Sequence, residues 1–99
     1  MRIIARRVLR EFWEESGRQD AEQPLRAWFG EVSKADWSKP ADIKQQYRSA
    51  SFIGGSRVVF NIGGNKYRLV VALKYEARIV FSRFIGTHAA YDKIDAEEV

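Results

Sequence analysis

Apolar residues recur at helical spacing through the first third of the chain and at strand spacing through most of the second half. From Ala5 to Glu15, Val8, Leu9, Phe12 and Trp13 fall on one face, while Arg6, Arg7, Arg10, Glu11 and Glu14 fill the other. Gly17 ends this helix. Asp20, with Gln23 three residues on and Pro24 in the first turn, marks a second helix start. Leu25, Trp28, Phe29 and Val32 then repeat at i, i+3, i+4 and i+7 as far as about Asp36. Two such helices in succession predict an antiparallel helical hairpin. Pro40 opens a further helical turn with Ile43 and Tyr47 on one side. Arg2 to Ile4 reads as a short edge strand, and Ser49 to Ser56, which holds Gly54 and Gly55, reads as a loop.

The period changes to two after Ser56. RVVFNI and the runs beginning at Tyr67 and Ile79 are rich in Val, Ile, Phe and Tyr, and Gly63 and Gly64 separate the first two of them as a two-residue hairpin turn would. That turn sets Asn61 against Lys66, Phe60 against Tyr67 and Val59 against Arg68. A second two-residue turn around Tyr75 to Ala77 places Arg83 beside Arg68 or Val70. Alternation then gives a core face of Val58, Phe60, Ile62, Tyr67, Leu69, Val71, Leu73, Val80 and Phe84. The opposite face carries Arg57, Asn61, Lys66, Arg68 and Arg83, with Val59, Val70, Ala72, Ile79, Phe81 and Ile85 between them. Helices first and strands after them predict an α+β fold, with the helical hairpin on one face of an antiparallel sheet of about four strands.

A length of 99 residues bounds this to a single domain, 1–99, and an apolar fraction of 45% is enough for a core. The absence of cysteine removes disulfides, thiolate chemistry and cysteine zinc sites, so a reducing cytoplasmic location is expected. The amino-terminal segment is interrupted by charges too often to be a signal peptide or a membrane span. Charge sharpens the picture of the sheet. Residues 1–56 hold ten Lys/Arg against eight Asp/Glu, whereas residues 57–92 hold six against two. The positive excess therefore sits on the strands, and it points to an anionic partner.

The run FNIGGNKYRLV followed by RFIGTHAAYD resembles the HigB-type toxins of the RelE superfamily, and the likeness extends back through PADIKQQY to the N-terminal strand and helices. The resemblance implies a RelE-like fold and a type II toxin–antitoxin toxin that cleaves mRNA on the translating ribosome. It also implies a cognate helix-turn-helix antitoxin of HigA type and a hetero-oligomeric toxin–antitoxin complex; no cofactor is expected, because one His and no clear cluster of carboxylates on the basic face make a poor divalent site. The residues are compatible with such chemistry. Cleavage without a metal needs the ribose 2′-hydroxyl to attack the adjacent phosphate, a base and an acid to move protons, and cations to hold the crowded phosphoryl group. His88 is the one side chain that ordinarily titrates near neutrality. Tyr91, three residues on, shares its side of a helical turn, and Arg68 offers bidentate phosphate recognition. The candidate catalytic residues are thus Arg68, His88 and Tyr91, with Lys66, Arg83, Asn61 and Arg57 as candidate RNA contacts and no metal ligands. Which residue is the base stays open. Arg83 among apolar neighbours reads equally as an ion-pair partner, Lys66 as a solvated turn residue, and Asp92 as a cap. The competing function is a non-catalytic basic module that binds RNA or protein through the same sheet.

Overall fold

A computed structural model describes all 99 residues. In chain order they form β1 (Arg2–Ile4), α1 (Arg6–Glu14), a 3-10 turn (Gln19–Ala21), α2 (Glu22–Lys34), α3 (Pro40–Gln46), β2 (Ser51–Ile53), β3 (Arg57–Ile62), β4 (Tyr67–Lys74), β5 (Ile79–Thr87) and α4 (His88–Tyr91). The α+β architecture is the expected one. The sheet has five strands instead of about four, in the order β1-β5-β4-β3-β2. The additional strand is β2: Ser51–Ile53, read from sequence as loop, pairs antiparallel with β3, and its three residues are too few to show a period. β1 is the one parallel strand, lying beside β5.

The helices bury the faces their spacing selects. Leu9, Phe12 and Trp13 of α1, Leu25, Trp28 and Val32 of α2, and Ile43 of α3 meet Val58, Phe60, Ile62, Tyr67, Leu69, Val71, Leu73 and Val80 of the sheet in one cluster. Phe60 is its aromatic centre. The Trp28 and Tyr47 rings meet it edge-on at 5.5 and 5.1 Å, and Trp37 stacks on it at 6.2 Å.

Two details of register differ from expectation. The first hairpin turn takes four residues, Gly63 to Lys66, so Ile62 pairs with Tyr67 and Asn61 with Arg68. Gly63 and Gly64 still supply the left-handed backbone, at φ of 64° and 68°. The slip is two residues, an even number, so every side chain of β3 and β4 keeps its predicted face. Lys66 does not. It leaves the strand for the turn and reaches the helical layer. The second difference is a bulge in β5, where Val70 pairs with Phe84 but Val71 pairs with Ser82, leaving Arg83 as the extra residue. Beyond it the alternation inverts. Ile85 packs against the core and Phe84 turns to the opposite face, the reverse of their predicted places.

Lys66 forms an ion pair with Asp20 in the 3-10 turn, and the Tyr67 hydroxyl donates to the same carboxylate at 2.5 Å. These two bonds, Lys66 first, hold the Asp20 carboxyl below its ordinary range. A depressed carboxylate stabilises the fold at pH values above its unfolded pKa, and that contribution disappears as pH falls through the lower folded value. Wild-type protein and an Asp20→Asn variant should therefore differ in thermal midpoint at pH 7, and the gap should narrow as pH falls below the ordinary carboxylate range, towards about pH 2. A gap that persists unchanged at that pH would exclude the ionic contact as its source.

Candidate active site

The site is assembled where β5 runs into α4. Thr87 closes the strand and caps the helix, its Oγ1 accepting the Ala90 N–H at 3.2 Å. One turn of helix then sets His88 and Tyr91 on the same side. The turn folds back beside Gly86, whose missing side chain leaves room for the Phe84 ring and for Ala90 of the helix. A Cβ there would lie 2.6 Å from Phe84 Cζ and 3.3 Å from Ala90 Cβ. Gly86 is also the residue that pairs with Arg68 across the strands, so the bare backbone beside Arg68 is the ground on which α4 rests.

Arg68 meets both helix residues. Its Nε donates to His88 Nε2 at 3.1 Å, Nη2 lies 3.5 Å from Nδ1, and Cζ sits 5.4 Å from the centre of the Tyr91 ring. An Arg68 N–H aimed at Nε2 calls for a lone pair on that nitrogen, while the roles in the longer Nη2–Nδ1 contact depend on the tautomer. His88 is thus held with a proton-accepting nitrogen against a cation whose remaining N–H groups have no carboxylate partner. Asn61, the cross-strand neighbour of Arg68, adds a buried Oδ1 with no hydrogen-bond partner. All three members of the cluster are half-buried on the sheet face away from α1 and α2.

The structure separates the other candidates. Arg83 stands on the same face at the β5 bulge, exposed, with its guanidinium 5.4 Å from the Phe81 ring, and it makes no contact with Arg68, His88 or Tyr91. The three candidate catalytic residues therefore meet, and Arg83 lies farther along the strands. Arg57 donates to the Val99 carbonyl from Nε at 3.0 Å and Nη2 at 2.5 Å, and to the Gly55 carbonyl from Nη1 at 2.6 Å. Lys66 is directed to Asp20, and Asp92 is exposed at the end of α4 with its N–H on the His88 carbonyl at 2.9 Å. No three His, Asp or Glu side chains gather as metal ligands would. Thr87 and Gly86 went unnoticed in the sequence reading. The preference of Thr for helix starts was a usable signal for the first, but only the packed helix exposes the second.

Gly86→Val should push Phe84 and Ala90 apart and lift α4 from Arg68. The expected cost is about 1–3 kcal/mol of overpacking, together with loss of activity greater than that destabilisation explains. A thermal melt beside an activity assay checks this, and a variant of full activity would show that α4 tolerates displacement.

The α+β sheet and helical layer are compatible with a RelE-like fold, and the family model described as the RelE-like toxic component of a toxin–antitoxin system matches residues 21–94. The chain belongs to the HigB toxin family. It is 28% identical over 94 residues to the mRNA interferase toxin HigB of Escherichia coli strain K12, an alignment covering 93% of this chain and 88% of the relative. The mRNA interferase HigB proteins of Escherichia coli O157:H7 and Shigella flexneri match to the same extent.

Proposed function

We propose that this toxin is an mRNA endoribonuclease acting on the translating ribosome, in which Arg68, His88 and Tyr91 form the reaction centre. The single observation that supports the assignment is the Arg68–His88 hydrogen bond, which holds an imidazole nitrogen against a guanidinium that has no carboxylate partner. When an RNA phosphate takes the Arg68 donors, His88 Nε2 is released to remove the proton of the ribose 2′-hydroxyl. The hydroxyl oxygen attacks the adjacent phosphorus, and the bond to the 5′-oxygen breaks. Arg68 neutralises the charge that accumulates on the phosphoryl oxygens. The Tyr91 phenol, beside the same guanidinium, orients the phosphate or delivers a proton to the leaving oxygen. Asn61 lies within this neighbourhood as a polar contact for the RNA. The products are a 2′,3′-cyclic phosphate and a 5′-hydroxyl. The partner is an antitoxin, read here as a helix-turn-helix protein of HigA type that forms a hetero-oligomer with the toxin in the cytoplasm.

The test is purified toxin with mRNA, naked in one arm and on programmed ribosomes in the other, with both ends of each cleavage mapped. Cyclic phosphate ends, activity that survives chelator, and a loss of about 10²–10⁴-fold in His88→Gln are expected. Salt-sensitive RNA binding with no cleavage in either arm would make the chain a binding module, and activity abolished by chelator would remove the metal-independent mechanism.

A further inference from the structure

Beyond the Arg68 cluster, the same sheet face holds a concavity of about 420 Å³, within the range of small-ligand pockets, roughly 300–1,000 Å³. Ala72 of β4 lies in its lining, with Phe81 and Arg83 from β5, Arg57 from β3, and Lys74 and Tyr75 from the end of β4 and the turn after it. Lys74 and Arg83 make no ion pair, whereas Arg57 is spent on the Val99 and Gly55 carbonyls, and Lys66 and Arg78, the other cations of the strand region besides Arg68, are tied to Asp20 and Asp36. Glu76 is the only acid in the lining.

The two sites repeat one arrangement. Arg68 stands over the Tyr91 ring and Arg83 over the Phe81 ring, each with Cζ at 5.4 Å from the ring centre. A cation beside an aromatic plane is what a single-stranded nucleotide requires: the guanidinium takes the phosphate and the ring takes the base. Register fixes their order. Arg68, Val70 and Ala72 succeed one another on one face of β4, with Phe84 and the Arg83 bulge opposite Val70 and Phe81 opposite Ala72. At about 3.4 Å per residue, the second site begins roughly 7–14 Å along the strand from Arg68.

We infer that this cleft is a nucleotide-binding subsite for the RNA segment flanking the bond cleaved at Arg68, with Phe81 stacking a base and Arg83 and Lys74 contacting its phosphate. The subsite rests on the RNA reading of the Arg68 site. It determines how much single-stranded RNA the toxin grips, and it acts on affinity for the strand and not on the chemical step.

The decisive experiment is fluorescence anisotropy of the full chain with labelled single-stranded oligoribonucleotides, a dinucleotide and a hexanucleotide, across a salt series. Phe81→Ala should weaken hexanucleotide binding on the order of tenfold, the effect of removing one stacking ring, and leave the dinucleotide unchanged. Lys74→Glu, at an exposed position where folding is not at risk, should weaken the hexanucleotide and flatten its salt dependence. Arg68→Ala should weaken both probes. If Lys74→Glu and folded Phe81→Ala bind the hexanucleotide as wild type does while Arg68→Ala does not, the subsite is wrong and the active-site reading stands. If Arg68→Ala also leaves both probes unaffected, the RNA reading of the whole face falls with it.

Discussion

Arg68→Ala is expected to abolish growth arrest and to lower RNA cleavage by about 10²–10³-fold, the usual consequence of removing a preorganised donor from a transition state that gathers negative charge. The folded protein should survive the change, since Arg68 is half-buried and its only side-chain hydrogen-bond partner is His88. Two functions leave together. In the proposed mechanism the guanidinium is the phosphate-binding fork, and its Nε also holds the His88 ring in place through Nε2. Arg68→Lys should recover little, because a compact ammonium reproduces the charge but not the planar fork that spans imidazole and phosphate. Mapped cleavage products from equal amounts of folded wild type and variants give the answer. An Arg68→Ala toxin of undiminished activity would mean that the reaction centre lies elsewhere on the molecule.

Phe60→Ala should be the most damaging core substitution, costing about 3–5 kcal/mol out of a total of about 5–15 kcal/mol for a domain of this kind. Phe60 is 1% exposed, and three aromatic rings from three segments of the helical layer converge on it. Deleting the ring leaves Trp28, Trp37 and Tyr47 around a void that the sheet cannot close, because Phe60 sits in mid-strand of β3 with its backbone fixed by β4. Chemical denaturation followed by tryptophan fluorescence measures this directly. A loss under 1 kcal/mol would show that the helices, not this aromatic centre, hold the layers together.

The two substitutions separate what was legible in the chain from what was not. The spacing of Leu25, Trp28, Phe29 and Val32 identified α2, and the alternation from Val58 to Leu73 identified the core face, because both periods are local geometry that a sequence displays directly. That parity also survived a hairpin turn two residues longer than expected, which is why Arg68 lies on the predicted face. Lys66 failed the same inference. Its position depended on turn length, and its carboxylate partner, Asp20, lies 46 residues away with nothing local to announce it. The β5 bulge defeated Phe84 and Ile85 for a related reason: one extra residue inverts a period of two, and neither Ser82 nor Arg83 signals the insertion.

The sequence by itself determined the helical hairpin, the core face of β3 and β4, the cationic character of the strands and the family likeness carried by the motif from Thr87 to Asp92. Each depends on residue type at short spacing. Tertiary structure alone decided that Gly86 leaves room for α4 beside the sheet, that Arg68 and His88 meet at 3.1 Å across twenty residues, and that Arg83 lines a concavity apart from them. Those outcomes depend on packing and strand register between distant segments, which residue spacing along one segment does not encode.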